Sequence, residues 1–149
     1  MKTFRWILYA VILGALFLAP LQRIDIANLK PIEAVWMYVE NGTVFLETDT
    51  NDKGEGPSAE AALENMKNNS IGVVYLDTSQ YLFISESAER VIPEVGLYLK
   101  GSVKLCIWDG LGEIGDAVKY AESHNLGLEL RKWKGIGNLP EIALENLEK

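Results

Sequence analysis

One histidine and one cysteine in a chain of 149 residues remove most common catalytic inventories at the outset. A disulfide within the chain is impossible, and a zinc site built from several histidines or cysteines is excluded by the same count. A Ser–His pair would have to use His124, which no nucleophile-elbow sequence accompanies. A Cys–His pair would have to bring Cys106 to that same ring. Basic clusters are missing too: 14 Lys and Arg stand against 21 Asp and Glu, for a formal net charge of -7. Such a surface repels nucleic acid. The patch Arg131-Lys-Trp-Lys134 is too short to reverse that; it reads as a solvated turn, with an acidic protein or a headgroup as the alternative contact. Neither a Walker spacing nor a dinucleotide fingerprint occurs, and the chain shows no repeat and no linker long enough to divide it.

Carboxylates are the chemistry that remains. Glu47, Asp49, Asp52 and Glu55 cluster around the first long loop. They read as solvated loop acids, with a weak cation site as the alternative, since the twelve-residue calcium pattern is missing and Lys53 interrupts them. Asp77 follows a hydrophobic strand, where ligand sites in α/β domains often lie; it equally suits a strand terminator that bonds the next turn's amides. Gly54-Glu-Gly56 before Ser58 fits geometry and capping better than anion binding, because acids surround it. His124 belongs at a helix end, bonding a terminal carbonyl or facing solvent. Cys106 shares a strand face with Ser102, Lys104 and Trp108 and reads as a covered thiol. The sequence therefore assigns no catalytic, cofactor or metal-binding residue, and the expectation is a noncatalytic protein without a cofactor.

What is present begins with a long apolar run. Lys2 and Arg5 precede it, and Trp6 through Gln22 carries no formal charge. Basic residues before such a run predict a cytoplasmic N-terminus and an exported remainder. Residues 1–22 read as a signal-anchor or transmembrane segment, near the lower length limit for a span; secretion after signal cleavage is the alternative, and residues 23–31 read as a juxtamembrane linker. Localisation then follows as a single-pass cell or spore membrane protein, with residues 32–149 as an extracytoplasmic domain.

That domain alternates strands and helices. Residues 32–48 predict a β-hairpin turning at Asn41-Gly42, which accept positive φ cheaply. A loop covers 50–56, and Ser58 caps a helix that Asn68-Asn-Ser70 ends. Strands follow at 71–76 and 81–84. A helix over 86–99 is weakened or divided by Pro93 and Gly96. Strand 103–108, helix 114–124, a brief strand at 128–130 and a small helix or frayed tail at 139–147 complete the order. This pattern predicts an α/β fold, a mixed β-sheet with covering helices.

Aromatic residues give the better binding clue. Trp36 and Tyr38 share one strand face, Trp108 ends another strand, and Trp133 lies beyond the last short one. Completing the core is the plain reading of each. The alternative makes Trp36, Tyr38, Asp77, Trp108 and Trp133 an interaction set, with a concave site at the strand ends near Asp77 and Trp108.

Three segments carry a family resemblance. They are Asp25-Ile-Ala-Asn-Leu-Lys-Pro-Ile32, then Gly54-Glu-Gly-Pro-Ser-Ala-Glu-Ala-Ala-Leu63 followed by Val74-Tyr-Leu76, then Leu82-Phe-Ile-Ser-Glu-Ser-Ala-Glu89. In this order they resemble the N-terminal domain of the C subunit of bacterial spore germinant receptors. The resemblance implies membrane attachment, an extracytoplasmic mixed α/β domain and a role in assembling a signalling complex. The chain departs from that family in lacking a lipid-modified cysteine after the apolar run and in being too short for the later domains. Two functions are therefore expected. The first is a membrane-tethered interaction or assembly module with a membrane or envelope protein as partner. The second is an extracytoplasmic module that binds a small molecule, ligand unknown, or a peptidoglycan fragment.

Overall fold

The computed structural model describes residues 29–143. The mixed α/β architecture is present. Among the described residues nine strands run β1 (Leu29–Pro31), β2 (Ala34–Glu40), β3 (Thr43–Thr48), β4 (Lys53–Gly56), β5 (Val73–Tyr75), β6 (Tyr81–Ile84), β7 (Lys104–Trp108), β8 (Leu128–Glu129) and β9 (Glu141–Ile142). The α-helices of this region, α1 (Ala59–Asn69), α2 (Ile92–Val95) and α3 (Ile114–Ser123), lie between them. The main sheet has the order β4-β3-β2-β6-β7-β8, with β9 also pairing β7. Its first three strands are antiparallel, β2, β6 and β7 are parallel, and β8 is antiparallel to β7. A separate pair, β1 and β5, is parallel.

Period-two alternation divides the core in two. On one face Val35, Met37, Val44, Leu46, Leu82, Ile84 and Leu105 meet Ala59, Ala62, Leu63 and Met66 of α1, together with Ala88, Val91, Ile92 and Val95. On the other, Ala34, Tyr81, Phe83, Cys106 and Trp108 meet Ile114, Ala117, Val118 and Ala121 of α3. Ser58 caps α1 by accepting from the Ala61 amide at 3.2 Å, as its sequence position predicts.

Several expectations need correction. The segment 50–56 is not all loop: its second half is β4, an edge strand paired with β3 from Val44↔Gly56 to Glu47↔Lys53. Cross-strand pairing and α1 packed on top outweigh the poor strand propensity of two glycines. The expected helix 86–99 is a 3-10 turn, Glu86–Val91, running into the four-residue α2. Pro93 takes an early position in α2, where its missing N–H is tolerated. The supposed linker 23–31 ends in β1, and the small helix or frayed tail expected at 139–147 holds, in its described part, the strand β9.

The membrane reading is also corrected. Among the described residues no helix is long and apolar enough to cross a membrane. Residues 1–22, on which the signal-anchor reading rested, lie outside the described residues. Membrane tethering, a bilayer or envelope partner and a cell- or spore-membrane location therefore have no structural support and are not carried forward.

Candidate functional site

The second sheet face is wider than the helix that covers it. α3 packs over Ala34, Phe83, Cys106 and Trp108, while Trp36 and Tyr38 on β2 and Phe45 on β3 are only partly buried. Their rings form a continuous row. Trp36 stacks on Tyr38 at 4.4 Å and Tyr38 on Phe45 at 4.9 Å; Trp108 lies against Trp36 at 5.1 Å and against Phe83 at 5.7 Å. Such pairs each contribute about 0.5–1.5 kcal/mol beyond the area they bury. Burial, followed by the charge of Glu47, raises the Tyr38 hydroxyl above its ordinary pKa.

Where this row meets the start of α3 there is a cleft of about 380 Å³. The end of β3 and its turn supply Glu47, Thr48, Asp49 and Asn51, and the passage from β7 to α3 supplies Gly110, Gly112, Glu113 and Gly115. Trp36 and Trp108 lie between these two rims. Gly110, at φ +82°, is what brings the two sides together. A Cβ there would collide with the Trp36 ring, reaching its Cη2 at 2.5 Å. The Trp108 Nε1 donates to the Leu111 carbonyl at 3.2 Å and so fixes the same loop. The Trp36 Nε1 is buried without a hydrogen-bond partner among the described residues.

The acids expected to be equivalent are not. Asp49 accepts at Oδ1 from the amides of Glu33 and Ala34, at 3.2 and 3.3 Å. Glu47 pairs with Lys53 at 2.6 Å. Asp52 is not a solvated loop acid at all: it is 8% exposed and accepts from Ser70 Oγ at 2.7 Å, Thr50 Oγ1 at 2.8 Å and Lys30 Nζ at 3.2 Å. It thereby ties β1, the turn after β3 and the end of α1 together. Burial alone would raise its pKa, but the hydrogen bonds from Ser70, Thr50 and Lys30 and the lysine charge outweigh burial and lower it below 3.8.

A carboxylate with a depressed folded pKa stabilises above its unfolded value and loses that contribution as pH falls through the folded one. Asp52→Asn is therefore expected to lose about 2 kcal/mol near pH 7. The deficit should shrink as pH falls below about 4, where the unfolded carboxylate takes up its proton, and vanish below the depressed folded value. Denaturant titrations of both proteins across this range check the sign: a deficit that grows on acidification would refute it.

The other expected site residues scatter. Asp77 is exposed in a 3-10 turn after β5, on the small sheet, and does not line the cleft. Trp133 packs against the first core cluster. Tyr38 lines a neighbouring groove with Phe45, Lys53, Asn65 and Asn69. Cys106 is fully buried, and desolvation pushes its thiol up to about 12, which leaves it protonated and unreactive near neutral pH. His124 caps the far end of α3, its ring on Tyr120 and its Nδ1 at 2.9 Å from the Tyr120 carbonyl. Of the residues lining the cleft, sequence reading singled out Trp36 and Trp108 as possible interaction residues, read Glu47 and Asp49 as solvated loop acids, and did not single out Gly110, Gly112, Glu113 or Gly115. The density of glycine from Gly110 to Gly115 was the available signal. No family model, curated protein or solved structure matches the chain.

Proposed function

We propose that this domain is a binding module for a small molecule, held in the cleft between the end of β3 and the start of α3. One observation carries the reading: α3 covers only part of its sheet face and leaves Trp36 at a cleft of about 380 Å³ whose far rim is mostly glycine backbone. That volume falls at the lower end of the ordinary range for ligand pockets, about 300–1,000 Å³. An aromatic wall with a few fixed polar groups is the usual composition of such a site. Action by binding rather than turnover is supported by the position of the two best nucleophile and base candidates. Cys106 lies sealed under α3 and His124 at that helix's opposite end.

Kinship in fold with the N-terminal domain of spore germinant receptor C subunits is part of the same proposal. It is supported by the way the segments that carry the resemblance fall on β4 entering α1 and on β6 entering the following 3-10 turn. No membrane role comes with it.

The test is a screen of the full chain against fragments of mixed chemistry: organic cations, sugars and amino sugars, carboxylates, and the peptide pieces of peptidoglycan. Indole N–H signals in NMR serve as the readout. Hits are expected to shift the Trp36 and Trp108 signals, to leave Trp133 unmoved and to vanish in Trp36→Ala. A screen in which no fragment moves the first two signals would overturn the reading.

A further inference from the structure

We infer that the ligand of this cleft is an organic cation, a small molecule with an ammonium head; this rests on the binding reading above and adds the charge of what is bound. The cavity holds both components of such a site. The partly exposed Trp36 ring lines it, held by Tyr38 stacked on it at 4.4 Å and by Trp108 at 5.1 Å. Indole faces attract a cation placed within about 6 Å of the ring centroid. Around that ring stand Glu47, Asp49 and Glu113, and among the described residues no Lys, Arg or His lines the cleft.

The three acids differ in what they can offer. Glu47 shares its charge with Lys53, and Asp49 spends one oxygen on backbone amides. Glu113 is exposed and its side chain makes no capping bond to the helix it precedes. It is thus the carboxylate best placed to meet an incoming ammonium. The start of α3 works in the other direction, since aligned peptide dipoles place about half a positive charge there. Three carboxylates with one lysine among them outweigh that half charge, so an anion entering the cleft is repelled and a cation is drawn in.

The acids alone would suit an inorganic ion as well. The accessible indole decides for an organic one, because a strongly hydrated metal ion gains little from a ring face whereas an alkylated ammonium, weakly hydrated, gains both contact and charge attraction. A neutral sugar also stacks on indole and is the competing class.

The experiment titrates the full chain with choline and with 3,3-dimethylbutan-1-ol, which has the same shape without the charge, and separately with N-acetylglucosamine. Indole N–H signals again report. Choline is expected to shift the Trp36 and Trp108 signals saturably and to bind about tenfold more tightly than its neutral isostere. Its affinity should fall with added salt and fall in Glu113→Gln, an exposed change that leaves the fold intact. Equal binding of choline and the isostere, or binding of N-acetylglucosamine alone, overturns the cation class while the cleft stands as a binding site. Silence of both signals toward these probes and toward the wider fragment set overturns the site itself.

Discussion

Gly54→Ala is expected to cost about 3 kcal/mol of folding stability. The physical reason is contact between β4 and α1. A Cβ at Gly54 would collide with the Ala62 carbonyl oxygen and would stand 2.6 Å from Met66 Cβ and 2.8 Å from the Met66 amide nitrogen. Two of these three obstacles are backbone, so no rotamer change relieves them and the helix must move away from the sheet. Such a shift opens the packing of Ala62, Leu63 and Met66 against Leu46 and Met37, where each is almost fully buried. Close-packed interiors respond to displacements this small. Urea denaturation followed by far-UV circular dichroism measures the loss. Gly115→Ala is the control, because nothing lies within 4 Å of the methyl it adds. A Gly54→Ala midpoint no lower than that of the control would show that α1 does not sit on β4 in this way.

Gly110→Ala should be nearly as damaging, at about 2–4 kcal/mol, and its consequences should centre on the cleft. Two costs add there. At φ +82° an L side chain is strained, and the new methyl would overlap the Trp36 ring. The ring has to leave its place against Trp108 or the loop has to lift away from β2. Either movement breaks the stacked pair and reshapes the cavity. Near-UV circular dichroism from the tryptophans should weaken while the far-UV spectrum is kept, and any cleft ligand should bind more than about tenfold less tightly. If the near-UV signal and ligand affinity are both unchanged, Gly110 is not the spacer that sets the cleft.

The two glycine positions show where sequence reading stops. Gly54 and Gly56 were legible as geometric residues, because two glycines just ahead of a capped helix suit a close turn. That they form an edge strand beneath that helix was not, since glycine has low strand propensity and only the partner β3 and the overlying α1 supply the energy. Gly110 stood in the expected turn, yet its neighbour in space, Trp36, is far from it in the chain. The same applies to Asp52, an ordinary loop acid by composition, whose partners Lys30 and Ser70 come from β1 and the end of α1. Hydrogen bonding across such separations leaves no periodic trace.

The sequence by itself determined the local and periodic features. Short runs dense in apolar and aromatic residues set the hairpin and the strands at β6 and β7, the spacing of apolar residues set α1 and α3, and Ser58 and Asn41-Gly42 marked a helix start and a turn. It also determined that histidine, cysteine and basic chemistry are too scarce to dominate the surface. The tertiary structure alone decided which strands became neighbours, that β1 and β5 pair apart from the main sheet, and that α3 covers only part of the face carrying Trp36, Tyr38 and Phe45. That last decision makes the cleft. It depends on the width of an assembled sheet against the footprint of one short helix, a comparison between elements that no single stretch of the chain contains.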